Sequence, residues 1–326
     1  MKIGSVKDGS RDGALAVVDT KRGVAIKAPH ITTLQTAIDN WRDIEPELRT
    51  LASKLAQGEL KGTTPIDQLP WQAPLSRAYQ LLDGGGYKPH LELGYKLRKQ
   101  EFPKEMEERP GFYQSVSDSI LNPDEDIELD GDDLGPDFEA ELAVVTTDVD
   151  QGTGVDAAGR KIILVGLMND VSLRLIQRVE FARGFGFFHC KPKKAFAPFF
   201  ATPDELDPYW KGFKLALPVE VKWNGKVFGC PDGAENMMFD FATLVSEASR
   251  HRKLAAGTII GGGTVASWDR ANKGNCCIHE RRVLDLLEFG EERTPWLKPN
   301  DQIAIEVRTP DGTSVFGAIN QRYRAL

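Results

Sequence analysis

The segment DFEAELAVV, residues 137–145, opens on acidic side chains and closes on apolar ones. Strand side chains alternate between faces, so Asp137, Glu139 and Glu141 point the same way. Through Ala143 and Val145 the segment becomes apolar on both faces, which takes it into an interior. Carboxylates at a core entrance are costly unless they are paired or bind a cation. A solvated strand end is the competing reading at this point.

Three further segments carry chemistry. NDVSLRLIQRVEFARG, residues 169–184, reads as a helix with Asp170 at its N-cap. Helical spacing then puts Arg174, Gln177 and Phe181 on the face of Asp170, which suits either an anionic substrate pocket or a solvated surface. In LLDGGGYKPHLEL, residues 81–93, three glycines after Asp83 permit close approach of backbone to a ligand, or an unusual turn. His90 follows in a chain with five histidines, as a structural residue or as a base. TIIGGGTVAS, residues 258–267, runs a strand into a glycine loop that lacks both the dinucleotide fingerprint and the Walker lysine. Its N–H groups and the Thr264 hydroxyl could face an anion, and a plain turn explains them equally well.

Outward from these segments, strands outnumber helices. LAVVD and GVAIK flank the turn TKRG within residues 1–30, and VEVKWNGKVFG, residues 219–229, is a hairpin because Asn224-Gly225 suits a type I′ turn. IAIEV and SVFGAI supply further strands. Residues 32–57 have helical spacing interrupted at Pro46, and FDFATLVSEASRHRKL, residues 239–254, is a helix. The Pro- and Thr-rich stretch 62–74 reads as a linker, which divides the chain into a small N-terminal α+β domain, 1–72, and a larger domain, 73–326. The strands do not alternate strictly with helices, so the expectation is a mixed, β-rich α+β fold rather than a doubly wound sheet.

Composition narrows the function classes. A formal charge of -7 over 326 residues does not suit nucleic acid or an anionic membrane. The acidic run 124–133 reads as a solvated loop. Cys190, Cys230, Cys276 and Cys277 lack zinc-site spacing and read as reduced thiols of a cytoplasmic protein. No stretch approaches a signal peptide or a membrane span.

Taken in order, the segments resemble the fumarylacetoacetate hydrolase family over most of residues 75–326. The marks are Glu139-Ala140-Glu141, then Asn169-Asp170-Val171-Ser172-Leu173-Arg174 with Gln177, then Lys191, then Gly263-Thr264. Lys191 is chosen over Lys193 and Lys194 because it stands seven residues before Pro198, as the family's lysine does. Asp83 and His90 keep the family's aspartate-to-histidine separation, although glycines replace its tyrosine.

The resemblance implies a β-sandwich roll behind the N-terminal domain, and a divalent cation held by Asp83, Glu139, Glu141 and Asp170. An all-oxygen set favours Mg²⁺ first, with Ca²⁺ or Mn²⁺ as alternatives, over Zn²⁺. It further implies that His90 acts as base, oriented by Glu280, that Arg174, Gln177 and Lys191 stabilise an oxyanion, and that Phe181 and Thr264 contact substrate. The expected activity is hydrolysis of a C–C bond in a 1,3-diketo acid such as fumarylacetoacetate or fumarylpyruvate, by a homodimer. The alternatives are a decarboxylase, hydratase or isomerase working on a related 2-oxo acid through a metal enolate, and a metal-stabilised binding protein without turnover.

Overall fold

In the computed structural model, residues 1–131 and 133–326 are described. Asp132, within the acidic run, lies outside them. Among the described residues the largest sheet has twelve strands. Its path runs Thr64–Pro65, Val24–Lys27, Ala14–Asp19, Lys2–Val6, Phe199–Ala201, Ile162–Asn169, Ala140–Thr146, Ile259–Thr264, Leu81–Gly84 and Phe112–Ser115. The first four strands come from the N-terminal 65 residues, and the innermost of them, Lys2–Val6, pairs directly with Phe199–Ala201. The sheet is therefore continuous between the N-terminal segment and the rest.

The Ala140–Thr146 strand lies mid-sheet and is buried along its whole length, which its apolar character on both faces requires. Leu142 and Val144 join a core shared with Val219, Val221, Ile303, Ile305 and Ile319. Those residues belong to a second sheet, ordered Lys226–Gly229, Val219–Trp223, Gln302–Val307, Ile319–Ala325 and Ile127–Leu129. Ala143 and Val145 face a second core with Ile38, Trp41, Leu48 and Leu55, from the helices Leu34–Asp39 and Trp41–Gln57. Each fully buried aliphatic side chain on either face contributes about 1.5–3 kcal/mol. The result is the β-rich α+β sandwich expected.

Several local expectations hold. The Ala14–Asp19 and Val24–Lys27 strands form an antiparallel pair. In the 219–229 hairpin, Asn224 and Gly225 both have positive φ, at 51° and 77°, as a type I′ turn needs.

Others are corrected. The stretch 62–74 is not a free linker: Thr64–Pro65 pairs with Val24–Lys27 and Trp71–Gln72 pairs with Lys2–Val6, because their backbone groups complete those strands. Pro46 does not interrupt Trp41–Gln57; it sits near the helix start, where few intrahelical bonds are lost, and its carbonyl accepts from Thr50 Oγ1 at 2.9 Å. The 239–254 helix is the shorter Phe241–Ala248, capped by Asp240, whose side chain accepts from Thr243 N. The acidic run includes the strand Ile127–Leu129, with Ile127 and Leu129 buried. SVFGAI becomes strand only at Ile319, since Gly317 turns the chain at φ 75°. The glycines 261–263 are not a loop after the strand; they are part of Ile259–Thr264.

Candidate active site

Adjacent strands deliver the carboxylates to one place. Ile259–Thr264 pairs in parallel with Leu81–Gly84, aligning Gly261 with Asp83. On its other side it pairs with Ala140–Thr146, aligning Thr264 with Glu141. Asp170 follows directly on Ile162–Asn169, whose Asn169 aligns with Ala140. Carboxylate oxygens of Asp83, Glu141 and Asp170 consequently lie within 4.8 Å of one another, and all three residues are buried.

Glycine at position 261 is what leaves this space open. A Cβ there would stand 2.4 Å from Asp83 Oδ1 and 3.2 Å from Glu141 Oε2. Gly263, at φ 82°, turns its N–H toward Asp83 Oδ1 at 3.2 Å.

Both oxygens of Glu141 are buried, and among the described residues no N–H or hydroxyl donor reaches them; the neighbouring group is the Asp83 carboxyl. Burial drives its carboxyl well above the usual range, and the charges of Asp83 and Asp170 push the same way. Asp83 is pushed up to about 7, by burial first and by Asp170 second. Asp83 and Glu141, with Asp170 beside them, crowd a space that a methyl group would fill, and this all-oxygen set fits a divalent ion with hard oxygen ligands.

Glu139 is different. Its Oε1 accepts from Arg174 Nη2 at 2.6 Å and Thr264 Oγ1 at 2.7 Å. Its Oε2 accepts from Lys191 Nζ at 2.5 Å and Ser172 Oγ at 2.9 Å. Burial alone would raise its pKa, but Arg174 and Lys191 hold it well below the ordinary carboxylate value. Asp137 turns to the start of the Ile278–Phe289 helix, where it accepts from Ile278 N at 2.7 Å, His279 N at 3.0 Å and Arg174 Nε at 2.8 Å.

Asp170 is not a helix N-cap. A short strand, Ser172–Leu173, intervenes, and the helix begins at Arg174 with Leu173 as its cap. Pairing of Ser172 with Asp137 outcompetes a helical start there. Asp170 nonetheless reaches the same cavity region: its Oδ2 accepts from Lys191 Nζ at 2.7 Å and from the Tyr113 hydroxyl at 2.5 Å, and its Oδ1 pairs with Lys194. Lys194 is fully buried and also donates to Val171 O at 3.0 Å.

A cavity of about 610 Å³ is lined by Asp83, His90, Glu139, Glu141, Arg174, Gln177, Phe181, Lys191 and Thr264, along with Tyr113, Arg178 and His279. A larger cleft, about 1040 Å³, lies beyond Lys191 and Phe187 but contains neither Asp83 nor Glu141, so the chemistry belongs to the smaller one. His90, on the helix Lys88–Leu97, faces Glu280 across the cavity wall, with Nδ1 3.3 Å from Glu280 Oε1 and Nε2 3.9 Å from Glu139 Oε1. Phe181 stands at the mouth, 71% exposed.

Arg174 has little left to offer a substrate. It spends Nε on Asp137 and Nη2 on Glu139, and its Nη1 donates to Gln177 Oε1 at 3.0 Å. That last bond leaves the amide NH₂ of Gln177 as its free donor. Lys191 keeps its charge: burial opposes it, but Asp170 and Glu139 outweigh burial. The loop carrying it is held by Glu180, which accepts from the N–H groups of Phe188, His189 and Cys190 at 2.8, 2.8 and 3.2 Å.

Sequence reasoning missed Tyr113, Ser172, Lys194 and the thiol of Cys277, which lies 4.0 Å from His90 Nδ1. Ser172 stood in the motif itself, whereas Tyr113 had no local signal. Among the described residues, no helix is long and apolar enough to cross a membrane.

Known proteins match this chain in sequence family and in fold. The model of the fumarylacetoacetate hydrolase C-terminal domain matches residues 81–322, and that of fumarylacetoacetase N-terminal domain 2 matches residues 1–77. A 2,4-didehydro-3-deoxy-L-rhamnonate hydrolase of Sphingomonas sp. (strain SKA58) is 24% identical over 268 residues, 81% of this chain and 88% of that protein. A 5-carboxymethyl-2-hydroxymuconate delta-isomerase from Mycobacterium smegmatis shares the fold at TM-score 0.65 and 17% identity, over 100% of this chain and 99% of the other. So does maleylpyruvate hydrolase from Sphingobium sp. SYK-6, solved with manganese(II) and pyruvate, at TM-score 0.67 and 12% identity, over 100% and 99%. The chain belongs to the fumarylacetoacetate hydrolase family.

Proposed function

We propose that this protein is a divalent-cation-dependent hydrolase that cleaves a C–C bond in a 1,3-diketo acid of the fumarylpyruvate or fumarylacetoacetate type. The observation that carries this reading is the buried Glu141 beside Asp83 and Asp170, in one cavity with His90, whose Nδ1 is backed by Glu280. Asp83, Glu141 and Asp170 would hold the cation, with Glu139 released to it only if Lys191 or Arg174 gives way. A hard divalent ion there supplies positive charge that polarises the substrate's oxygens.

The chain's own groups do the rest. Glu280 beside Nδ1 keeps the imidazole proton on that nitrogen, which leaves Nε2 free as a base. Nε2 takes a proton from water, and the water oxygen forms a new bond to one carbonyl carbon of the diketo acid. The Gln177 amide would donate to the oxyanion that develops, while Lys191, whose three N–H groups go to Glu139, Asp170 and Ser172, would contribute its positive charge. As the carbonyl re-forms, the C–C bond breaks and its electron pair stays on the departing carbon, which recovers the proton from Nε2. Arg174 acts through others, positioning Glu139 and Gln177.

Assay of a panel of acylpyruvates and fumaryl diketo acids, with Mg²⁺ or Mn²⁺ restored after chelation, tests this reading. Cation-dependent release of pyruvate or a 3-oxo acid supports it. Isomerisation or decarboxylation without hydrolysis of any member of the panel would overturn it.

A further inference from the structure

We propose that His90, Cys277 and Glu280 form a second metal site, for a thiophilic divalent ion such as Zn²⁺, separate from the carboxylate cluster. One candidate ligand atom from each lies within 4.8 Å of the other two. His90 Nδ1 is 3.3 Å from Glu280 Oε1 and 4.0 Å from Cys277 Sγ. A tetrahedral zinc with bonds of roughly 2.0–2.3 Å spaces its ligand atoms roughly 3.3–3.6 Å apart. The nitrogen–oxygen pair already has that spacing, and the sulfur needs only a small side-chain adjustment.

A second observation points to a ligand independently. Apart from His90 Nδ1 at 3.3 Å, itself a ligand atom of the proposed site, Glu280 Oε1 has no hydrogen-bond partner among the described residues, although Glu280 is 1% exposed. Its other oxygen accepts from Asn275 Nδ2 at 3.1 Å, and Arg270 Nη2 is 3.8 Å from Oε1. Cys277 Sγ lies at the N-cap of the Ile278–Phe289 helix and accepts from Glu280 N at 3.4 Å; burial, with Asp137 and Glu280, pushes its thiol well above the usual range, so it stays protonated until an ion displaces that proton. Sulfur, imidazole and carboxylate together select Zn²⁺-like ions, whereas Asp83, Glu141 and Asp170 offer oxygen alone.

Entry is through the cavity, where the His90 side chain is 19% exposed. Binding breaks the Sγ–H bond of Cys277 and releases that proton to solvent. His90 stays neutral, its remaining proton moving from Nδ1 to Nε2 as Nδ1 takes the ion. Nε2 can then no longer accept a proton, so the ion inhibits turnover without displacing the carboxylate-bound cation. This consequence rests on the function proposed above; the binding itself does not.

Titration of the Mg²⁺-saturated protein with Co²⁺, a spectroscopic substitute for Zn²⁺, tests the site. The expected result is a thiolate-to-cobalt charge-transfer absorption that saturates at one ion per chain and disappears when Zn²⁺ is added. Cys277→Ser keeps a capping hydroxyl and should abolish the absorption. His90→Gln, on the cavity wall, should weaken Co²⁺ affinity at least about tenfold. No absorption in the wild type, or an absorption that survives Cys277→Ser, overturns the proposal. Should Cys277→Ser not fold, unchanged Co²⁺ affinity in His90→Gln overturns it alone. Co²⁺ bound through Cys277 without any loss of turnover supports the site and counts instead against His90 as the base.

Discussion

Glu139 and Glu141 stand on one face of the same chain segment and meet opposite surroundings. Glu139 accepts from Arg174, Thr264, Lys191 and Ser172, while among the described residues no basic, amide or hydroxyl donor reaches either oxygen of Glu141. The first is an anion already neutralised by the protein. The second is an acid kept buried at a cost that a bound cation would relieve.

Glu141→Gln should therefore abolish Mn²⁺ binding and turnover while leaving the metal-free protein as stable as the wild type, or more stable by up to about 1–3 kcal/mol. Calorimetric titration with Mn²⁺ and thermal unfolding after chelation check the two halves. Undiminished Mn²⁺ affinity would remove Glu141 from the cation site.

The Asp83–Glu141 pair also sets a pH dependence. A carboxyl whose pKa is raised in the folded state takes up a proton on folding. Its stabilising effect is complete below the unfolded value of 3.8 and is lost as pH rises through about 7. Chelated protein should lose thermal stability from about pH 4 to about pH 7, and Mn²⁺ affinity should rise with pH up to about 7 as the competing proton leaves. Asp83→Asn should flatten the stability curve. A curve unaltered by that substitution would place the titration elsewhere.

His90 is 3.3 Å from Glu280 and, on the function proposed, not a ligand of the carboxylate-bound cation. His90→Gln should keep Mn²⁺ affinity while turnover falls by about 10²–10⁴-fold. Wild-type hydrolysis of acylpyruvates by this variant would rule out the imidazole as base.

Lys191 and Lys194 both reach Asp170 but should fail differently. Lys191 also lines the cavity, so Lys191→Met should depress turnover by about 10²-fold. Lys194 is fully buried behind Asp170, so Lys194→Met leaves a buried carboxylate oxygen without its cation and should cost about 3–5 kcal/mol of stability. Steady-state kinetics and denaturant unfolding of both variants separate the roles. Equal losses of stability would mean that Lys191 is structural too.

Local sequence determined the elements whose signal lies in neighbouring residues. The Asn224-Gly225 turn specifies its hairpin because two adjacent positive-φ positions suffice, and the apolar character of 140–145 specifies a strand buried on both faces. The motif residues around Glu139, Asp170 and Lys191 were legible because they follow one another at short spacing. Only the tertiary structure decided what each charge meets. Strand pairing aligns Gly261 with Asp83 across about 180 residues of chain and so opens the space beside Glu141. The same pairing of Ser172 with Asp137 displaces the helix start from Asp170 to Arg174, and Tyr113 and Cys277 arrive from segments with no signal of their own. Hydrogen bonds and desolvation act over a few ångströms of space, which residue order does not encode for groups distant in the chain. Residue order therefore supplied the carboxylates, and packing alone made Glu139 a neutralised anion and Glu141 an unpaired acid.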